Sequence, residues 1–115
     1  PMHIPHRISL ARAWTQIHQD TSLLRVQRFF QKPTNLCSQT KVRLRLDSSR
    51  VLQSVVLNGQ ELPLEAEKTL NFGYDWDITV ALLARNQLVV SWLLSDPVPP
   101  ETLPKFEAWL EIFAP

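Results

Sequence analysis

Tyr74-Asp75-Trp76-Asp77-Ile78-Thr79-Val80-Ala81-Leu82-Leu83-Ala84-Arg85-Asn86-Gln87-Leu88-Val89-Val90-Ser91-Trp92 is the stretch that decides the fold. An aromatic strand end, Tyr74 to Trp76, runs into Asp77, whose short carboxylate accepts backbone N–H bonds where a turn begins. Val80 to Leu83 predicts a single apolar helical turn, a plug, and Arg85-Asn86 punctuates the chain before the β-rich Leu88 to Trp92. The order strand, plug, strand gives Trp76, Asp77 and Trp92 structural roles. Upstream, Val55-Val56-Leu57-Asn58-Gly59-Gln60-Glu61-Leu62 predicts a hairpin, because Asn58-Gly59 readily takes the positive φ values of a two-residue reversal.

Outside this region the pattern has period two. Val42-Arg43-Leu44-Arg45-Leu46-Asp47 is the cleanest case: three aliphatics face one way, Arg43 and Arg45 the other, as in a sheet with one wet face. His6 to Leu10 alternates with Ile8 and Leu10 inward, and Trp14 follows as a core anchor. Leu23 to Phe30 and Val51 to Leu57 read as further strands, Glu65 to Lys68 as a charged turn, and Gly73 as a residue that frees the backbone before Asp75. Phe106 to Phe113 alternates again, with Ala108, Leu110 and Ile112 inward and Glu107, Trp109, Glu111 and Phe113 outward. The prolines mark connections, above all Pro97 to Pro104, which cannot pair as an interior strand. About eight short strands predict an all-β protein, a two-sheet antiparallel β-sandwich. An immunoglobulin-like sandwich is the rival, but its usual pair of core cysteines is absent.

With 115 residues, 44% hydrophobic and 20% charged, the chain fits one globular domain over residues 1–115, its ordered core about 6–113. A formal charge of +1 is too small to build a field that draws nucleic acid or an anionic membrane. Cys37 has no partner for an internal disulfide, and no apolar run approaches the ~20 residues of a membrane helix. The start, Pro1 to Arg7, lacks the apolar centre of a secretory signal, so a cytoplasmic location is expected.

The combination of Leu57-Asn58-Gly59, Asp77-Ile78-Thr79, Leu82-Leu83 and Asn86 to Val90 resembles the sugar-binding jelly-roll domain of family-2 glycoside hydrolases and its galactose-binding-like relatives. The likeness runs from Arg7 to Ile112 and takes in the opening Ile8, Leu10 and Trp14. It implies a jelly roll that is non-catalytic and, in that family, accompanies a separate catalytic barrel; Asp77-Ile78-Thr79 there serves the scaffold. Between Leu64 and Tyr74 the chain lacks the glycine-rich, aromatic loop usual in the family, and no ligand-binding residue is carried over.

No nucleophile with a base and no metal-ligand set stands out, so catalytic residues, metal and cofactors are expected to be none, and the chain is not expected to be an enzyme. His3 and His6 are a lone pair that leaves a metal incompletely coordinated. Asp75 and Asp77 share a side, but Asp77 is needed as a cap. Two isolated glycines, Gly59 and Gly73, exclude a phosphate-cradling loop. Arg43 and Arg45, with Arg25, Arg28 and Arg50 as neighbours, form either a basic strip on one sheet face or a solvated, salt-bridged one. Trp109, outward between Glu107 and Glu111, stacks on a sugar with help from Arg43 and Arg45, or caps the sheet or an interface. The expected job is a carbohydrate-binding-like module; the alternative is a protein–protein interaction or structural domain. The expected partner is thus a carbohydrate or a protein, with no nucleic acid and no membrane, in a monomer or weak homodimer.

Overall fold

Strict alternation in residues 41–48 makes them the central strand of a sheet. In the computed structural model, which describes residues 5–20, 22–64, 67–68, 72–94 and 105–114, Val42, Leu44 and Leu46 are completely buried. The strands are β1 (His6–Ser9), β2 (Thr15–Gln19), β3 (Leu23–Gln31), β4 (Lys41–Ser48), β5 (Ser54–Leu57), β6 (Gln60–Glu61), β7 (Glu67–Lys68), β8 (Phe72–Asp77), β9 (Arg85–Leu93) and β10 (Phe106–Phe113). They form two five-stranded sheets, ordered β1-β10-β4-β8-β7 and β2-β3-β9-β5-β6. Each pairing within them is antiparallel. The inner faces pack as a sandwich over one hydrophobic cluster that includes Leu10, Leu24, Phe30, Val55, Tyr74, Trp76, Ile78, Val90 and Leu110.

The aromatic residues fix the stacking because each brings a polar edge that must find a partner when buried. Trp92 Nε1 donates to Ser48 Oγ at 3.0 Å, and Leu52 N donates to Tyr74 Oη at 3.1 Å. Trp76 Nε1 donates to the Pro63 carbonyl and Trp14 Nε1 to the Leu10 carbonyl, both at 2.6 Å. Phe106 joins Trp14 edge-on and Trp92 at a tilt, with centroids 4.9 and 5.0 Å apart. Trp14 is half-buried against the core.

The segment after Asp77 differs from expectation. It contains a turn, closed by Ala81 N donating to the Ile78 carbonyl, and no helix. Only Ile78 and Leu82 enter the core, while Val80 is 99% exposed and Leu83 56%. Competing hydrogen bonds explain this. Asp77 Oδ1 accepts from Thr79 N at 3.0 Å and Thr79 Oγ1 at 2.6 Å, and Val42 N donates to Thr79 Oγ1 at 2.9 Å, so the chain is tied sideways to β4. At the other end Asn86 takes both main-chain groups of Leu83 that a helix would use: its Oδ1 accepts from Leu83 N at 2.8 Å and its Nδ2 donates to Leu83 O at 2.9 Å.

Asn86 is no punctuation mark but a fully buried residue of β9, opposite Phe30. Its Oδ1 also accepts from Asn58 Nδ2 at 2.9 Å, and its Nδ2 also reaches the Phe30 carbonyl at 3.3 Å. Asn58 completes the corner. With φ of 52° at Asn58 and 81° at Gly59, the reversal between β5 and β6 is the expected one. Asn58 Nδ2 donates to Ala81 O at 3.2 Å, and Asn58 Oδ1 accepts from Gln87 N at 2.8 Å. The 78–84 loop is thereby joined to both sheets.

Three smaller readings also change. The strand expected from Val51 begins at Ser54, and Glu67–Lys68 is a short strand rather than part of a turn. Gly73 has no positive φ; a Cβ there would lie 2.7 Å from Arg45 Nη2, so the residue supplies room for a side chain. The Pro97–Pro104 connection lies outside the described residues.

Candidate functional site

Alternation in β4 and β10 and the register between them assemble the outer face of the first sheet. Arg7, Glu111, Arg43 and Asp77 are successive partners across β1, β10, β4 and β8, giving a row of alternating charge. The next row is Ser9, Trp109, Arg45 and Asp75; the one after holds Glu107, Asp47 and Gly73. The topology therefore brings Trp109, Glu107, Glu111, Arg43 and Arg45 onto one face.

The charges pair. Arg7 Nη2 lies 3.2 Å from Glu111 Oε2, Arg43 Nε 2.7 Å from Asp75 Oδ1, and Arg45 Nη2 3.0 Å from Asp47 Oδ1. Arg43 thus reaches diagonally past Asp77, its partner in register. The Asp77 carboxyl is held below the ordinary aspartate range, first by the Thr79 hydroxyl and then by the Thr79 N–H, against partial burial and with help from Lys41 and Arg43. Glu111, although on the outer face, is buried. Trp109 is half-buried, and the Arg7 guanidinium lies over its ring, 5.0 Å from the centroid. Its Nε1 is the one buried side-chain nitrogen or oxygen without a hydrogen-bond partner among the described residues.

Of the two readings of the arginines, the salt-bridged face describes Arg43 and Arg45, and the basic strip is divided. Arg43 and Arg45 belong to β4, whereas Arg25 and Arg28 belong to β3 in the other sheet. Arg25 Nε donates to Ser91 Oγ at 3.1 Å, and Arg28 bonds the main chain of Arg12 and Phe29. Asp75 and Asp77 are engaged by Arg43 and Thr79 respectively. His3 lies outside the described residues, among which no three His, Cys, Asp or Glu side chains gather as a metal site would require.

Arg7, Asp47 and Gly73 belong to the face but escape sequence reasoning. The alternation of His6 to Leu10 points Arg7 outward, yet only the pairing of β1 with β10 puts it over Trp109. Chemically the middle of the face offers the Trp109 ring and three carboxylate–guanidinium pairs, a set suited to hydroxyl groups or a polar protein surface.

No family profile matches the sequence, and no curated protein matches it. Among solved structures, the crystal structure of the FMN-binding β-glucuronidase from Facaelibacterium prausnitzii L2-6 is similar, with a TM-score of 0.60 and 16% identity over 95% of this chain. The match spans 23% of that enzyme's chain. It shows a shared two-sheet β-sandwich fold.

Proposed function

We propose that the chain is a non-catalytic recognition domain of the galactose-binding-like jelly-roll kind, and that it meets carbohydrate on the outer face of the first sheet. The observation that carries this reading is Trp109: an aromatic side chain in the middle of an outward row, its N–H without a partner among the described residues and the Arg7 guanidinium over its ring. A buried N–H without a partner is unfavourable by about 1–3 kcal/mol, a deficit that a ligand hydroxyl beside the ring relieves. The Arg7 side chain that lies over the ring is itself 61% exposed. The likeness to a protein named as a β-glucuronidase supports a sugar-related role for the fold.

Glycan-array binding by the intact chain tests the reading. A signal on neutral glycans is expected that Trp109→Ala abolishes and Arg7→Ala preserves; no neutral-glycan signal with the folded chain rejects it. A second reading, docking against protein, is favoured by one feature: the Arg7 guanidinium already occupies the stacking surface. Self-association or partner binding that depends on Trp109, with no sugar response, is its signature.

A further inference from the structure

Charge is unevenly distributed along the chain. Asp20 is the sole acidic residue before Asp47, and none lies between Asp77 and Asp96, while most of the 12 lysines and arginines precede Asp47. In the first sheet the imbalance cancels: β1 and β4 lie beside β10 and β8, and Arg7, Arg43 and Arg45 each hold a carboxylate. In the second sheet it does not. Strands β2, β3, β9 and β5 contain no acidic residue, and Glu61 sits on the far edge strand β6.

One of these uncompensated charges stands where β9 begins, beside Phe29 of β3. The Arg85 guanidinium lies over the Phe29 ring, 4.6 Å from its centroid. Arg28, opposite Leu88 in register, lies on the other face of β3 and bonds the Arg12 carbonyl, so Arg85 is the cation on the outer side here. Arg85 forms no ion pair among the described residues. Beside it opens a shallow depression of about 330 Å³ lined by Phe29, Asn58, Leu83, Arg85, Asn86 and Gln87. The amides of Asn58 and Asn86 are engaged in the corner network, and Gln87 Nε2 donates to Gln27 Oε1. Arg85 therefore supplies the donors and Leu83, with Phe29, the apolar wall.

We infer that this depression binds the carboxylate of an acidic sugar, a uronate residue of a saccharide, through Arg85 held in place by Phe29. A guanidinium presents a planar fork that matches a carboxylate, and its stacking on an aromatic ring orients that fork without neutralising it. Apolar carbon beside a cation suits the C–H face and the acid group of one ring. Only the ligand class rests on the carbohydrate reading above; the site lies on the other sheet, so either proposal fails alone.

Isothermal titration of the intact chain with trigalacturonate, its carboxyl-reduced neutral counterpart and a triglutamate peptide tests the inference. Trigalacturonate is expected to bind, more weakly as salt is raised from 0.05 to about 0.3 M, since screening shortens the reach of exposed charge. Arg85→Gln is expected to lower affinity about tenfold, with an unchanged unfolding temperature confirming the fold. The neutral trisaccharide is expected not to bind at this site. Absence of trigalacturonate binding, affinity unchanged in Arg85→Gln, or tighter binding of triglutamate overturns the inference; the last result assigns the site to an acidic protein. Neutral-glycan binding lost only in Trp109→Ala concerns the first sheet and leaves this test separate.

Discussion

Asn86 and Trp109 are both polar-edged side chains on sandwich strands, but their surroundings are opposite. Asn86 is buried and its amide makes four hydrogen bonds, to Leu83 twice, to Asn58 and to Phe30. Trp109 is half-buried, its N–H has no partner among the described residues, and nearby Arg43 pairs with Asp75 at the solvent surface. A satisfied network in a low-dielectric interior is costly to break, because removing one member leaves the others desolvated and unpaired. Surface ion pairs are cheap to break. Stability thus resides in the Asn58–Asn86 corner, and the outer face of the first sheet is left free to vary.

Substitutions rank that difference. Asn86→Ala, which strands the N–H and C=O of Leu83, is expected to destabilise by about 3 kcal/mol or more in urea unfolding. Asn58→Ala loses a left-handed turn residue and the bond to Gln87 N, and about 2 kcal/mol is expected. Gly59→Ala meets no atom but must hold φ at 81°, so a loss of about 1 kcal/mol in the same assay isolates backbone strain from packing. Arg43→Ala, which removes an exposed pair with Asp75, is expected to shift stability by less than ~1 kcal/mol. A loss at Arg43 as large as that at Asn86 breaks the comparison.

Acid sharpens it further. Asp77 has a pKa lowered from 3.8, so its contribution is present above that value and disappears as pH falls through the depressed folded-state pKa. Asp77→Ala is therefore expected to flatten the acid limb of a stability–pH curve below about pH 4 and leave the slope near neutrality unchanged.

The sandwich was legible because alternation in β4 and β10 is local and the Asn58-Gly59 pair carries its own turn geometry. The 78–84 loop was not. Its apolar run reads as helical until Asn86, a residue with the look of a turn former, is seen to be buried and to compete for the backbone of Leu83. Trp109, Glu107, Glu111, Arg43 and Arg45 share a face as their alternation suggests. Arg7 is brought over Trp109 by a strand pairing between the two ends of the chain, which periodicity cannot reveal. Gly73 looked conformational and is steric, a distinction that depends on the position of Arg45 across the sheet.

Native-state hydrogen exchange at Leu83 tests the corner most directly. This amide belongs to an exposed loop residue, yet Asn86 Oδ1 accepts from it at 2.8 Å. It is predicted to exchange as slowly as the amides of β9, through the opening that unfolds the sandwich. Exchange as fast as that of Val80, three residues earlier and fully exposed, contradicts the account.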